Sequence, residues 1–140
     1  MFFYDLEPAV VQDVIKRCLA IKAQIVEADE KEGGLRKILN HGHTFGHALE
    51  QATGYRQYKH GEAVLVGIVL EARLAQALGM LPSSCLRQIE EALLRVKLDY
   101  NFADLPQKLI LSALRQDKKN RQGRISFILP TEIGKVEEVL

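Results

Sequence analysis

Apolar residues recur three or four positions apart through most of the chain, which is the spacing of one face of an α-helix. This pattern predicts a first helix over residues 7–29, and the adjacent Gly33 and Gly34 end it. A second helix is predicted over residues 35–53. Gly54 is placed as its C-terminal cap, because glycine readily adopts the left-handed conformation that ends many helices.

A third predicted helix, residues 60–78, is apolar on nearly every side and includes the run AVLVGIVL. A helix of that kind normally forms the buried centre of a bundle. A fourth helix is predicted to begin at Pro82 and to reach about residue 97. Asp104 can cap a fifth helix that covers residues 105–116.

The end of the chain has a different pattern. After the polar turn DKKNRQGR, the run ISFILP predicts one short strand, for which residues 134–139 offer at most a weak partner. The predicted fold is therefore mostly α, a bundle-like helical domain with one short strand or hairpin near residues 124–137. No GxGxxG turn joins a strand to a helix, so this chain is not predicted to contain a nucleotide-binding half.

Composition and charge narrow the class of protein. The 140 residues are enough for one domain with a real core, and the formal net charge of +1 gives no reason to expect nucleic acid or a membrane as partner. We see neither a signal peptide nor an apolar run long enough to cross a bilayer, so a cytoplasmic protein is expected. Cys18 and Cys85 belong to no CxxC pair and are predicted to be buried, reduced thiols.

All four histidines lie within twenty positions, at His41, His43, His47 and His60. On a helix, residues four apart share a face, so His43 and His47 point the same way, and His60 can fold back on them from the next helix. Two imidazoles and a carboxylate form a zinc site that keeps a position open for substrate. Nearby candidates for a ligand or supporting carboxylate are Glu50 and Glu62. Which two histidines would bind stays open, and surface histidines with no metal are the alternative.

A second group of side chains suits an anionic substrate. The residues that could contact a phosphate or carboxylate are Lys22, Arg36, Asn40, Lys59, Lys118, Lys119 and Arg124. A solvated helix face is the alternative for most of them. Arg36 and Asn40 precede His43 by seven and three residues, so we expect them on the same side of the second helix. The sequence therefore predicts an anion site beside a metal site.

The sequence around the histidines resembles one enzyme family over a long stretch. The runs KAQIVEADEKEGGLRKILNHGHTFGHALE and YKHGEAVLVGI, and later DKKNRQGRISFILPTEIG, are similar to the C-terminal half of 3-dehydroquinate synthase. The resemblance implies a sugar-phosphate cyclase, a lyase that converts 3-deoxy-D-arabino-heptulosonate 7-phosphate to 3-dehydroquinate and phosphate. That reaction belongs to the shikimate pathway of aromatic amino acid biosynthesis. The resemblance also implies a divalent metal, zinc or cobalt, and an NAD that is reduced and reoxidised within one turnover.

Roles follow from the resemblance, position by position. His43 and His60 match the metal-binding histidines, and His47 matches a histidine that assists proton transfer near the substrate phosphate. Glu32 matches a family acid–base residue. The positions that match substrate-binding residues are Lys22, Arg36, Asn40, His47 and one lysine of the pair Lys118 and Lys119. His41 stands where the family usually has an apolar or aromatic residue, so it is interpreted as incidental.

The resemblance also implies parts that lie outside these 140 residues. We expect residues 1–140 to be the C-terminal helical domain, with the NAD-binding domain and a third metal ligand, the glutamate of an E-x-x-K motif, before Met1. The chain alone is then expected to be inactive, to bind zinc weakly and to expose apolar surface through which it associates. A homodimer is expected for the full-length enzyme. Two alternatives stay open: a sibling cyclase of the 2-deoxy-scyllo-inosose synthase type, or a catalytically silent helical module.

Overall fold

A computed structural model describes residues 7–31, 33–96, 101, 104–116 and 124–140. Within these ranges the chain is helical apart from one C-terminal hairpin, which confirms the predicted fold class. The helices are α1 (Pro8–Ala28), α2 (His43–Ala52), α3 (His60–Ala77), α4 (Ser83–Leu94) and α5 (Gln107–Gln116), with a short 3-10 helix (Leu35–Asn40) before α2. The hairpin consists of the antiparallel strands β1 (Phe127–Glu132) and β2 (Lys135–Val139).

Helix α3 is the centre of the fold, as its apolar sequence predicts. It packs against α2 on one side, against α4 on another and against β1 on a third. Val66 and Val69 of α3 are fully buried, as are Leu49 of α2 and Leu129 of β1. The apolar sequence of α3 is therefore explained by partners on three sides. No helix of the described residues is both long enough and apolar enough to span a bilayer.

Glycines allow α2 and α3 to meet backbone to backbone. A Cβ atom on Gly67 would lie 2.0 Å from the carbonyl oxygen of Gly42 and 2.9 Å from the amide nitrogen of Gly46. A Cβ on Gly46 would in turn lie 3.2 Å from the Cα of Val64. The glycines of the histidine segment are thus packing residues, and the close approach fixes how α2 sits on α3.

The prediction of one helix over residues 35–53 is wrong. The structure divides it into the 3-10 helix and α2, with His41 and Gly42 as the turn between them. Gly42 has a φ of 80°, in the left-handed region, where a Cβ would also collide with Ile68 at 2.6 Å. Arg36 and Asn40 therefore do not share a helix with His43.

Smaller differences affect the other element boundaries. Helix α4 ends at Leu94, and α5 begins at Gln107 rather than after Asp104. Pro106 explains the second shift, because a proline disfavours helical backbone in the residue before it. The partner predicted for the strand is real: β2 pairs with β1, with an irregularity between Pro130 and Glu132.

Helix α1 stands apart from the core. It has no buried residue, and among the described elements it packs mainly against the 3-10 helix. Its exposed large apolar residues are Val10, Val14, Ile15, Leu19 and Ile21. Exposed apolar surface was expected, while association through it stays a prediction. The prediction of two buried thiols is wrong for Cys18, which is exposed on α1, and Cys85 is only half-buried.

Candidate metal and anion site

Three of the four histidines form a triangle of imidazole rings where α2 meets α3. The ring centroids of His43 and His47 are 5.5 Å apart, and that of His60 lies 5.5 Å from His43 and 5.7 Å from His47. His43 is the first residue of α2 and His60 is the first residue of α3. The last turn of α2 lies at the start of α3, where Glu50 contacts His60. From there the His60 ring reaches the rings of His43 and His47, which lie one turn apart on α2, as the spacing predicts.

A carboxylate joins this triangle from the interior. Donor atoms of His47, Glu50 and His60 all lie within 4.8 Å of one another. In a tetrahedral zinc site with bonds near 2 Å, ligand atoms lie roughly 3.4 Å apart, so modest side-chain rotation would suffice. Imidazole and carboxylate are also the donor types that zinc and cobalt prefer. The residues present therefore fit a divalent cation, and the choice of His43 and His60 as its histidine ligands stays a prediction.

The two glutamates considered beside the histidines have different environments. Glu62 lies in the first turn of α3, and its carboxylate accepts the backbone N–H of Lys59 at 2.8 Å. Such a bond satisfies an otherwise unpaired N–H at the start of a helix, so Glu62 has a structural task. Glu50 is only 8% exposed, and both of its carboxylate oxygens face Nδ1 of His60, at 3.2 and 3.3 Å.

The predicted anion-binding residues lie on neighbouring elements. Arg36 is half-buried in the 3-10 helix, where Nη1 donates to the carbonyl oxygen of Glu30 at 2.9 Å. Asn40 ends the same helix, three residues before His43. Lys22 is exposed on α1, which packs against that helix. Glu32, Lys118 and Lys119 lie outside the described residues.

One carboxylate organises the loop that leads to Arg36. Asp29 accepts the backbone N–H groups of Gly33 and Gly34 at 2.8 Å each, and that of Arg36 at 3.0 Å. These bonds stabilise the charged carboxylate and lower the pKa of Asp29, the bond from Arg36 most and those from Gly34 and Gly33 next. At neutral pH the charged carboxylate thus connects the end of α1 to Gly33, Gly34 and the start of the 3-10 helix.

The fourth histidine has a structural environment that sequence reasoning missed. Nδ1 of His41 lies 2.8 Å from Oε2 of Glu71 and 2.8 Å from the carbonyl oxygen of Ile128. The same carboxylate oxygen accepts the backbone N–H of Gly42 at 2.6 Å. Glu71 is fully buried in α3, and its Oε1 has no hydrogen-bond partner among the described residues. The available signal was an acidic residue, Glu71, directly after the apolar run AVLVGIVL.

A cleft opens beside the cluster between α2 and α5. It has a volume of about 530 Å³, and its lining includes Thr44, His47, Glu50, Ala113 and Gln116. Gln116, which lines the cleft, is the last residue of α5. A small molecule held there could reach the histidine cluster from one side.

Comparison with known proteins finds one enzyme family over most of the chain. The family described as 3-dehydroquinate synthase C-terminal matches residues 2–120. The 3-dehydroquinate synthase of Alkaliphilus metalliredigens (strain QYMF) is 49% identical over 135 residues, 96% of this chain and 38% of the relative. That of Caldanaerobacter subterraneus subsp. tengcongensis is 47% identical over 126 residues, 90% of this chain and 35% of the relative. The chain thus spans little more than a third of the length of these relatives.

Solved structures give the same architecture. A crystal structure of 2-deoxy-scyllo-inosose synthase complexed with carbaglucose-6-phosphate, NAD+ and Co2+ superposes with a TM-score of 0.80. Its sequence identity to this chain is 25%, and the match covers 94% of this chain and 37% of that one. The lower identity makes the curated relatives the better guide to family. By its sequence and its fold, the chain belongs to the 3-dehydroquinate synthase C-terminal domain family.

Proposed function

We propose that the chain is the metal- and substrate-binding domain of a 3-dehydroquinate synthase. The reaction would convert 3-deoxy-D-arabino-heptulosonate 7-phosphate to 3-dehydroquinate and phosphate, within the shikimate pathway. The observation that carries the proposal is the triangle of His43, His47 and His60, assembled by two helices in a chain of this family. A silent helical module would have no need to collect three imidazoles beside an open cleft.

The metal would be held by His43 and His60, with zinc or cobalt as the ion and a glutamate from outside these residues as third ligand. When bound, such an ion acts as a Lewis acid and polarises substrate oxygens. The support from relatives is the Co2+ of the 2-deoxy-scyllo-inosose synthase complex. The support from the chain is that the rings of His43 and His60 lie 5.5 Å apart, in a cluster where donor atoms of His47, Glu50 and His60 are within 4.8 Å of one another.

The other site residues would hold the substrate and move protons. His47 lies beside His43 and His60 and lines the cleft, and it would transfer a proton near the substrate phosphate. Glu32 is the second proposed acid–base residue. Lys22, Arg36, Asn40 and a lysine of the pair Lys118 and Lys119 would contact the anionic groups of the substrate. Fixed positive charge and amide donors would orient the substrate and stabilise the charge of the leaving phosphate.

The remaining parts of the proposal concern the complete enzyme. NAD would bind mainly to the domain of the full-length enzyme that lies outside these 140 residues. The full-length protein would be a cytoplasmic homodimer. The 140 residues alone would not turn over substrate, because NAD and the third metal ligand would come from elsewhere.

A chimera tests the proposed reaction. The chain replaces the matching C-terminal region of the Alkaliphilus metalliredigens relative, and phosphate release is measured with 3-deoxy-D-arabino-heptulosonate 7-phosphate, NAD and zinc. We expect a rate comparable to that of the parent enzyme, and no release from the isolated chain. A matched chimera that carries His43→Ala is expected to be inactive while it keeps the parent's circular dichroism. A folded but inactive wild-type chimera would contradict the proposal.

The sibling cyclase is the second candidate, because its fold superposes closely on this chain. The same chimera, given glucose 6-phosphate in place of the heptulosonate phosphate, separates the two. Release of phosphate from glucose 6-phosphate alone would favour the sibling reaction. Release from the heptulosonate phosphate alone is the result that we expect.

A further inference from the structure

We propose that Glu50 is a positioning residue for His60: it fixes the proton of His60 on Nδ1 and so presents Nε2 to the metal. This inference rests on the proposed function, since it assigns a partner to one proposed metal ligand. Its basis is the contact between the Glu50 carboxylate and Nδ1 of His60, at 3.2 and 3.3 Å.

Because Glu50 is buried, its carboxylate depends on the hydrogen bond with His60. The Glu50 side chain is 11% exposed, and burial of an ionised carboxylate is costly unless a hydrogen-bond donor compensates. Among the described residues, the His60 ring is the hydrogen-bond partner of both oxygens of this carboxylate. Glu50 lies in the last turn of α2, so the bond also joins the end of α2 to the start of α3.

The chemistry of the two groups decides where the proton is. A carboxylate only accepts hydrogen bonds, so a bond between Glu50 and Nδ1 requires the hydrogen of the ring to be on Nδ1. In the neutral ring, the lone pair is then left on Nε2. Ligating histidines commonly donate their second ring nitrogen to a carboxylate, which fixes the tautomer and the ring plane.

The exposure of the two side chains agrees with a His60 ring that presents Nε2 to a metal. The His60 side chain is 57% exposed, although its Nδ1 edge faces a buried carboxylate. The remainder of the ring, including Nε2, therefore faces the open side of the cluster, where His43 and His47 lie. A cation bound there could still accept a substrate oxygen. A cation placed between Nδ1 and Glu50 would lie on the closed side.

The first test needs no metal. The imidazole nitrogens of the 15N-labelled chain are assigned by long-range 1H–15N NMR, which distinguishes protonated from unprotonated ring nitrogens. We expect His60 to carry its hydrogen on Nδ1 in the wild type and in Glu50→Gln, whose amide oxygen still accepts. In Glu50→Ala we expect the Nε2–H form to become populated. His60 in the Nε2–H form in the wild type would overturn the proposal.

The second test measures affinity with Co2+ as the probe, followed by its absorption spectrum. Glu50→Ala should weaken Co2+ binding by about 10- to 100-fold, as loss of such supporting partners does. Glu50→Gln should weaken it by less than about 10-fold, because the tautomer is kept. Glu91→Ala, an exposed glutamate on α4, is the matched control and should bind as the wild type does.

The two tests also separate this inference from the proposed function. If Glu50→Gln loses as much affinity as Glu50→Ala, Glu50 is a direct ligand and the positioning role is wrong. A second outcome is that the wild type binds no Co2+ although its His60 tautomer depends on Glu50. In that case the metal site of the proposed function is wrong, and the effect of Glu50 on the His60 ring is still supported. Loss of Co2+ binding in Glu50→Ala without any change in the His60 tautomer would contradict the positioning role.

Discussion

Two pairs of histidine and glutamate in this chain share the same kind of contact and differ in environment. In each, Nδ1 of the ring faces a buried carboxylate: His41 faces Glu71 at 2.8 Å, and His60 faces Glu50 at 3.2 Å. The side chain of His41 is 21% exposed and its glutamate is fully buried, whereas the side chain of His60 is 57% exposed. We call His41 with Glu71 the closed pair, because both side chains are mostly buried, and His60 with Glu50 the open pair, because its ring is exposed.

The partners explain this difference. The closed pair also binds the backbone of Gly42 and Ile128, so it ties the turn before α2 to α3 and to β1. The open pair has the other two imidazoles as its neighbours. Nδ1 of His41 has two acceptors from the packed interior and its ring is mostly buried, so this pair stabilises the fold. More than half of the His60 side chain is exposed, which leaves part of its ring free to meet a ligand. The exposure of the ring thus separates the histidine of the closed pair from the candidate metal ligand.

The largest expected effect distinguishes the two glutamates by stability. Glu71→Ala should lower the free energy of unfolding by about 3 to 5 kcal/mol, because it removes one partner of a buried pair and leaves the Gly42 N–H without an acceptor. Glu50→Ala should cost about 1 kcal/mol or less, because water can reach the exposed ring of His60. Urea unfolding followed by circular dichroism measures both changes.

Glu71→Gln is the control for this comparison. Its amide oxygen can still accept from His41 and from the Gly42 N–H, so it should recover part of the loss. Equal losses of stability in Glu71→Ala and Glu50→Ala would contradict the division into a closed and an open pair.

A smaller effect is expected at Asp29, whose carboxylate has three backbone partners, as a buried network does, but is partly exposed. Its pKa is lowered in the folded chain, mainly by the bond from the Arg36 N–H. The bonds therefore stabilise the loop above the unfolded pKa of about 3.9, and this contribution is lost as the pH falls through the lower, folded value. Amide hydrogen exchange of Gly33 and Gly34 should be slowed at pH 6 and should lose that protection in Asp29→Ala.

The matched control is Asp13→Ala, at an exposed carboxylate on α1 whose ion pair with Arg17 is also exposed. It should leave the protection of Gly33 and Gly34 unchanged. Unchanged protection in Asp29→Ala would show that the carboxylate does not order this loop.

The sequence predicted most of the fold because helical periodicity and apolar patterning are local signals. The position of α3 at the centre followed from its apolar faces, and the meeting of His43, His47 and His60 followed from their spacing. The break at Gly42 did not follow, because it depends on the contact of that backbone with Ile68 and Glu71. The exposure of Cys18 was also missed, since periodicity alone cannot show whether an apolar face has a partner.

The roles of the site residues were harder to predict than their proximity. Spacing grouped His43, His47 and His60 and could not choose which two of them would bind a metal. His41 was interpreted as incidental, and its structural contacts with β1 and α3, elements that lie far along the chain, could not be predicted. Long-range contacts of this kind depend on the complete fold, and no motif of neighbouring residues encodes them.

The most direct test of the central claim is zinc titration of the unmodified chain, followed by 15N NMR of its four imidazole rings. The claim is that the open cluster binds a divalent cation and that the closed pair does not. With zinc in excess, the ring nitrogens of His43 and His60 should shift strongly, and those of His41 should not. Equal shifts at His41, or no change at His43 and His60, would contradict the account.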